Sequence, residues 1–181
     1  MIELDSQTTL KSGLFRCCEA RHNDLVTLQR DIARSHLEIL IERLIDIEKA
    51  VPDPDGDFFI PSQGAGFFAR VDGDDVPLIR LFSVIAKNVP STAGLLEEIN
   101  KINTQLSFLR AMHIGEQILF EGEMLALRAD LEDFRSICQR IAHASDHFGP
   151  RLIEQFGGQP FFEATKTSEY ATPAPVIPGY I

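Results

Sequence analysis

Few residues in this chain have both the type and the spacing to do chemistry, and the surroundings of each argue against it. The segment GAGFFA, Gly64 to Ala69, matches the loose dinucleotide fingerprint GxGxxA and follows an extended stretch. That fingerprint works only when its glycines open a helix whose N-terminus meets the pyrophosphate. Here Phe67, Phe68, Ala69, Arg70 and Val71 lead into Asp72-Gly73, the pattern of a strand and a hairpin turn. Asp53, Asp55 and Asp57 occupy the first three ligand positions of a calcium loop, but Phe58 and Gly64 stand where the loop requires Gly and a bidentate Glu. Asp72, Asp74 and Asp75 fail in the same way at Pro77 and Ser83, so both clusters read as solvated turns.

His143 and His147 are spaced i, i+4 and could chelate zinc with a third ligand. No HExxH context surrounds them, and the apolar stripe of Ile141, Ala142, Ser145 and Phe148 turns them toward the rim of their helix. Cys17-Cys18 lacks the CxxC spacing of a redox pair, and no GxSxG, P-loop or kinase set is present. The expectation is a chain with no catalytic residue, no metal and no cofactor, and so not an enzyme.

Composition narrows the partners. The 181 residues carry 17 Lys plus Arg against 27 Asp plus Glu, a formal charge of −10 without a basic cluster, which disfavours nucleic acid. A length of 181 residues fits one domain with terminal extensions, and a 44% hydrophobic content is enough for a core without disulfides. Three cysteines form no paired framework, and MIELDSQTTL lacks the basic start and apolar run of a signal peptide. The apolar stretches LEILIERLIDI and PLIRLFSVIA are too short and too charged to cross a bilayer. The expected setting is cytoplasmic, without membrane insertion.

The elements follow from periodicity. Residues 1–22 are expected to form an extension with a short helix, and Asn23 serves as N-cap for a helix running to about Ala50, where Pro52 ends it. The second half of that helix is apolar on more than one side, so it must touch two surfaces or a partner. Three strands follow, at Phe58 to Ile60, Gly66 to Val71 and Val76 to about Ala86. The third is expected to be central and covered on both faces. Ser91 or Thr92 caps a short helix ending near Asn103, and strands come next at about Leu106 to Ile114 and Gln117 to Leu127, joined at Gly115-Glu116. Glu121 and Glu123 alternate with apolar residues, so part of one face should see water. Asp130 caps the last helix, with a kink at Gly149-Pro150 and a stop at Gly157-Gly158. The fold class is α+β, an antiparallel twisted sheet with helices in the order α-β-β-β-α-β-β-α.

One stretch is recognisable. LLEEINKINTQLSFLRAMHIGEQILFEGEMLAL, a short helix ending IN-x-IN followed by strand, turn and strand, resembles the YbjN-like domains grouped with type III secretion chaperones. The similarity covers about residues 24 to 158. Asn100 and Asn103 are expected to cap the helix or tie its end to the next strand through backbone bonds. The resemblance implies a non-enzymatic, often dimeric domain that binds an extended or partly folded segment of another protein.

The resulting division is an extension at 1–22, a chaperone-like domain at 23–158 and a Pro-rich tail at 159–181. The expected partners are a protein or peptide client, basic or amphipathic in character, and a second copy of the chain. Candidate contact residues are Leu37, Ile41 and Leu44 on the first helix, with Phe82, Leu109 and Leu119 on one sheet face. Two alternatives remain open. One is a ligand sensor or enzyme with a pocket between sheet and helices, in which Arg70, Arg80 or Arg110 meets an anion. The other is a module whose tail, ending VIPGYI, docks on its own groove as a client mimic.

Overall fold

The fold was taken from a computed structural model, which describes residues 6–62, 66–73 and 76–162, with side chains from Leu25 onward. The VIPGYI tail, Gly64 and the pair Asp74-Asp75 lie outside the described residues. Helix α1 spans Ser6–Ile45 and is followed by strands β1 (Phe58–Pro61), β2 (Gly66–Asp72) and β3 (Leu78–Lys87). Helix α2 (Ala93–Asn103), strands β4 (Arg110–Ile114) and β5 (Gln117–Leu125), a short 3-10 turn at Ala126–Arg128, helix α3 (Leu131–Phe156) and a two-residue strand β6 (Gln159–Pro160) complete the order. The α+β class and the order α-β-β-β-α-β-β-α are those expected, with β6 as an addition.

The long helix departs from expectation at both ends. It runs unbroken through Asn23, so that residue is interior and not a cap, and the separate short helix at 1–22 is part of the same element. It stops at Ile45 and not near Ala50, because Asp46 takes a left-handed backbone (φ 55°) and Ile47 N–H donates to the Glu42 carbonyl at 3.1 Å. That bond, closing back over five residues, is a Schellman-type ending. The Glu42 carboxylate then accepts from the Ala50 N–H at 3.1 Å and fixes the chain leading to β1.

All neighbouring strands pair antiparallel, in the order β1-β2-β3-β5-β4, with β6 added to the end of β3. The β4–β5 hairpin turns on Gly115 and Glu116, both at positive φ, which is the backbone a two-residue type I′ turn demands. Strand β3 is central, as its two apolar faces imply: Ile79 and Leu81 are fully buried on one side, while Phe82 and Val84 lie on the other. Its register shifts between Val84 and Ala86 opposite β5, a bulge that leaves Ile85 as the extra residue.

The helices lie on one face of the sheet. Phe120 of β5 meets Phe148 of α3 at 6.0 Å between ring centroids, and the Arg34 guanidinium of α1 lies 6.0 Å from the Phe58 ring. Ala33, Leu37, Leu40 and Ile41 carry α1 into the core, and Phe134, Ile141 and Leu152 do the same for α3. Helix α3 has the cap expected, with Asp130 accepting from the Asp133 N–H at 2.8 Å, and it ends at Gly157 (φ 79°). It does not break at Gly149-Pro150. Phe148 and Leu152 hold both sides of that pair against the sheet, and Gly149 approaches Ile85 so closely that a Cβ would lie 2.7 Å from its Cγ2. Pro150 points to solvent, where the loss of one helix hydrogen bond is tolerated.

Helix α2 is capped by Thr92, whose Oγ1 accepts from the Leu95 N–H at 3.2 Å. Its other end is tied to the sheet. Asn103 accepts from the Ala111 N–H at 2.7 Å and donates to the Ala111 carbonyl at 3.1 Å, so one side-chain amide satisfies both backbone groups of an edge-strand residue. Asn100 is exposed, and its contribution is a backbone carbonyl that accepts from Thr104. The two asparagines of the IN-x-IN pattern therefore have unequal roles. Asn103→Ala should cost about 1–3 kcal/mol by orphaning both Ala111 groups, whereas Asn100→Ala should change stability by less than about 0.5 kcal/mol. Urea denaturation of the two variants checks the difference.

Candidate peptide-binding surface

Three helices on one face leave the other face of the sheet without a helical cover among the described residues. Side chains alternate along a strand, so this face is set by register: Phe59, Phe68 and Phe82 align across β1, β2 and β3, and Arg80 faces Glu123 while Phe82 faces Glu121 across β3 and β5. The face has an aromatic half and a charged half.

In the aromatic half Phe68 stacks on Phe82 at 5.3 Å and tilts against Phe59 at 5.5 Å. Phe162 joins from the C-terminal side, 5.8 Å from Phe59 and 6.3 Å from Phe68, with Phe161 beside it. Strand β6 brings these two rings in. Gln159 and Pro160 pair with Lys87 and Ala86, and the Phe161 N–H donates to the Ile85 carbonyl at 3.1 Å. Phe59 remains 48% exposed at the edge of the sheet, so the cluster is closed on one side and open on the other.

The charged half holds the arginines considered for an anionic ligand, and each already has a carboxylate. Arg70 lies 3.4 Å from Asp57 and 4.9 Å from the Phe82 ring. Arg80 reaches Asp72 at 3.0 Å and Glu123 at 2.9 Å, and Arg110 pairs with Glu121 and with Glu123. Burial pushes the Asp57 carboxyl above its ordinary range, opposed by Arg70. The Gly73 N–H, with Arg80 behind it, holds Asp72 below that range, and the hydrogen bond that Arg110 donates to the Glu121 carboxylate raises its guanidinium. Part of this face was expected to see water, and Glu123 does, with 29% of its side chain exposed. Glu121 is buried, because the guanidinium groups of Arg80 and Arg110 close over it from the two flanking strands. An anion arriving at these arginines would have to displace a built-in carboxylate, which removes the support for the sensor or enzyme alternative.

The other chemistry-bearing residues are accounted for locally. Asp53 accepts from the N–H groups of Asp55 and Asp57 at 3.0 and 2.9 Å, organising the turn ahead of β1. Gly66 to Ala69, the last four residues of the apparent dinucleotide fingerprint, lie in strand β2. His143 and His147 are exposed on α3 with rings parallel at 6.4 Å, and burial pushes the Cys138 thiol up to about 12, which leaves it unreactive at neutral pH.

The contact residues expected from the sequence are dispersed. Phe82 and Leu119 lie on the face away from the helices, Phe82 half-buried and Leu119 nearly covered. Leu109 is on the other side, near Ile137 of α3: a Cβ on Gly122 would meet both side chains at 2.9 Å. Leu37 and Ile41 are 0% and 1% exposed inside the protomer core, with Leu44 packed partly buried beside them. A partner could reach Leu37 or Ile41 only by opening that core. Among the described side chains, the exposed large apolar residues of α1 are Leu25, Leu28, Ile32 and Ile39, each between 43% and 55% exposed, beside a shallow groove that includes Ser35 and His36. Periodicity revealed both stripes but not which one the sheet would take.

A helix-backed antiparallel sheet with an aromatic, partly exposed outer face is an architecture suited to binding a peptide. The chain belongs to the family described as T3SS (YopN, CesT) and YbjN peptide-binding chaperone 1, whose model matches residues 31–164. Among solved structures, a chain of the ExsC-ExsE complex is similar at 12% identity and a TM-score of 0.54, over 68% of this chain and 95% of that one. This is a likeness of fold. A chain of the HopA1-SchA chaperone-effector complex aligns at 8% identity and a TM-score of 0.49, over 72% of this chain and 97% of that one. A chain of the heterodimeric ExoU-SpcU complex from the type III secretion system of Pseudomonas aeruginosa aligns at 12% and 0.48, over 62% and 94%. No curated protein matches the chain at a significant level.

Two substitutions separate core from surface. Ile41→Asp places a charge among Leu37, Leu40 and the sheet and should unfold the domain, a loss exceeding about 4 kcal/mol, seen as collapse of the thermal transition. Glu121→Ala removes the buried one of the two carboxylates that Arg80 and Arg110 share, leaving both on Glu123, and should cost about 2 kcal/mol, measured by denaturant unfolding.

Proposed function

We propose that this protein is a non-enzymatic peptide-binding chaperone that holds an extended or partly folded segment of a client protein. The observation that carries the reading is the aromatic patch of Phe59, Phe68 and Phe82, half open to solvent on a sheet face without a helix, in a chain of this family. An apolar strip bounded by a charged rim suits an amphipathic segment, because its apolar side chains lose water while its polar ones stay at the edge. Backbone hydrogen bonds are available at β1, the sheet-edge strand whose far end stops at Pro61. At the opposite edge Asn103 already occupies Ala111 of β4. The charge of −10 favours a basic or amphipathic client.

The peptide-holding unit in this reading is residues 23–158, with the tail as an accessory, working as a homodimer in the cytoplasm of a bacterium. The segment Gln159 to Phe162 bears on the same patch: it adds a short strand to β3 and lays two phenylalanines beside the cluster. A client would share the patch with those rings or displace them.

Fluorescence anisotropy with labelled peptides of matched length, one basic and amphipathic and one acidic, tests the reading. The basic peptide should bind and the acidic one should not. Phe82→Glu should weaken binding about tenfold or more, equivalent to about 1.4 kcal/mol, with the far-UV circular dichroism spectrum unchanged. Replacing Phe161 and Phe162 together by Ser should strengthen it. Binding indifferent to Phe82→Glu would move the client off this face.

A further inference from the structure

Helix α1 carries more apolar surface than its own domain covers, and the excess is ordered. The core takes Ala33, Leu37, Leu40 and Ile41. The exposed set of Leu25, Leu28, Ile32 and Ile39 forms a separate stripe, about a third of a turn around the helix from the first. Its spacing is three, four and seven residues, that of a heptad seam with Leu25, Ile32 and Ile39 at a and with Leu28, Ser35 and Glu42 at d. Carried back along the sequence, the same register puts Cys18 at a and Leu14 at d but Arg21 at the intervening d and Lys11 at the preceding a, so the apolar seam is concentrated between Leu25 and Ile39. In this register the core residues fall at b, c and f, so packing α1 on the sheet leaves the seam free. No residue from Leu25 to Ile32 is buried.

We propose that a second copy of this chain occupies the stripe, the two α1 helices forming a parallel, in-register coiled coil. Residue types and charge both select this occupant. β-branched residues at a with Leu at d favour two parallel strands, and Ile32, Ile39 and Leu28 stand at those positions. The flanking g positions are Asp31 and Glu38, and the flanking e positions are Gln29, His36 and Arg43. In a parallel pair g of one helix meets the following e of the other, which brings Asp31 to the partner copy's His36 and Glu38 to its Arg43. In an antiparallel pair g meets g, and the acidic residues would face each other. Glu38 also lies 3.8 Å from Arg34 of its own helix, and the His36 Nδ1 meets the Ala126 carbonyl at 2.9 Å, which leaves Nε2 for a partner. This deepens the homodimer of the proposed function and is separate from peptide capture at the phenylalanine face.

Sedimentation equilibrium of the full chain tests it. The wild type should dimerise, and Leu28→Asp with Ile32→Asp should give a monomer whose thermal transition and peptide binding are retained. Glu38→Lys should weaken the dimer about fivefold to tenfold by setting Lys against Arg43, and adding Arg43→Glu should restore it. A monomeric wild type, or a dimer that survives Leu28→Asp with Ile32→Asp, overturns the α1 interface. In the second case the homodimer stands on another surface. A dimer strengthened by Glu38→Lys overturns the parallel arrangement. Loss of peptide binding by an intact dimer carrying Phe82→Glu bears only on the client site.

Discussion

The structure depends on β3, a strand with apolar character on both sides. Ile79 and Leu81 must be buried on one face, and Phe82 and Val84 must be at least partly covered on the other. A strand with no solvent face is stable only in the middle of a sheet, and here β2 and β5 supply its neighbours. The two faces are then covered by different means. On one side α1 and α3 bring Leu37, Ile41, Phe134 and Ile141 to a conventional core. On the other, cover comes from phenylalanines stacked across strands and from carboxylates closed over by arginines.

That second kind of cover shapes what the protein can do. Ion pairs across a sheet face are weak individually, but the buried Glu121, gripped by Arg80 and Arg110, fixes side-chain positions on three adjacent strands. It also pairs the arginines, so an anion could bind there only by displacing a carboxylate. The phenylalanine half has no such closure. Phe161 and Phe162 cover part of it, and Phe59 stays at the edge with about half its surface in water. The patch is defined by incomplete packing, in keeping with the proposed role and with a family of peptide-binding chaperones.

Helix α1 illustrates the division of a single element between two tasks. Its core stripe is short and lies toward its C-terminal end, where the helix meets the sheet and the 3-10 turn. The helix nevertheless continues to Ser6, beyond the part its own domain buries among the described side chains. The stretch from Leu25 to Ile32, none of it buried, gains little from its own core and needs another source of stability, because an isolated helix is marginal in water. The heptad stripe offers one.

Element types and order were legible from the sequence because they follow from local periodicity: the alternation in β3, the Asp130 and Thr92 caps, the glycines at Gly115 and Gly157. The failed fingerprints were legible too, since each motif demands a context that the neighbouring residues visibly lack. Asn103 was foreseen as a tie between helix and strand, whereas Asn100 has no such role, a difference that depends on which amide reaches Ala111. The sequence alone could not choose between the two stripes of α1, keep α3 continuous through Pro150, or bury Glu121. Those outcomes rest on contacts between residues far apart in the chain, which fix orientation and burial only after the sheet has formed. Periodicity determines that a surface is apolar; tertiary packing decides whether another part of the same chain covers it.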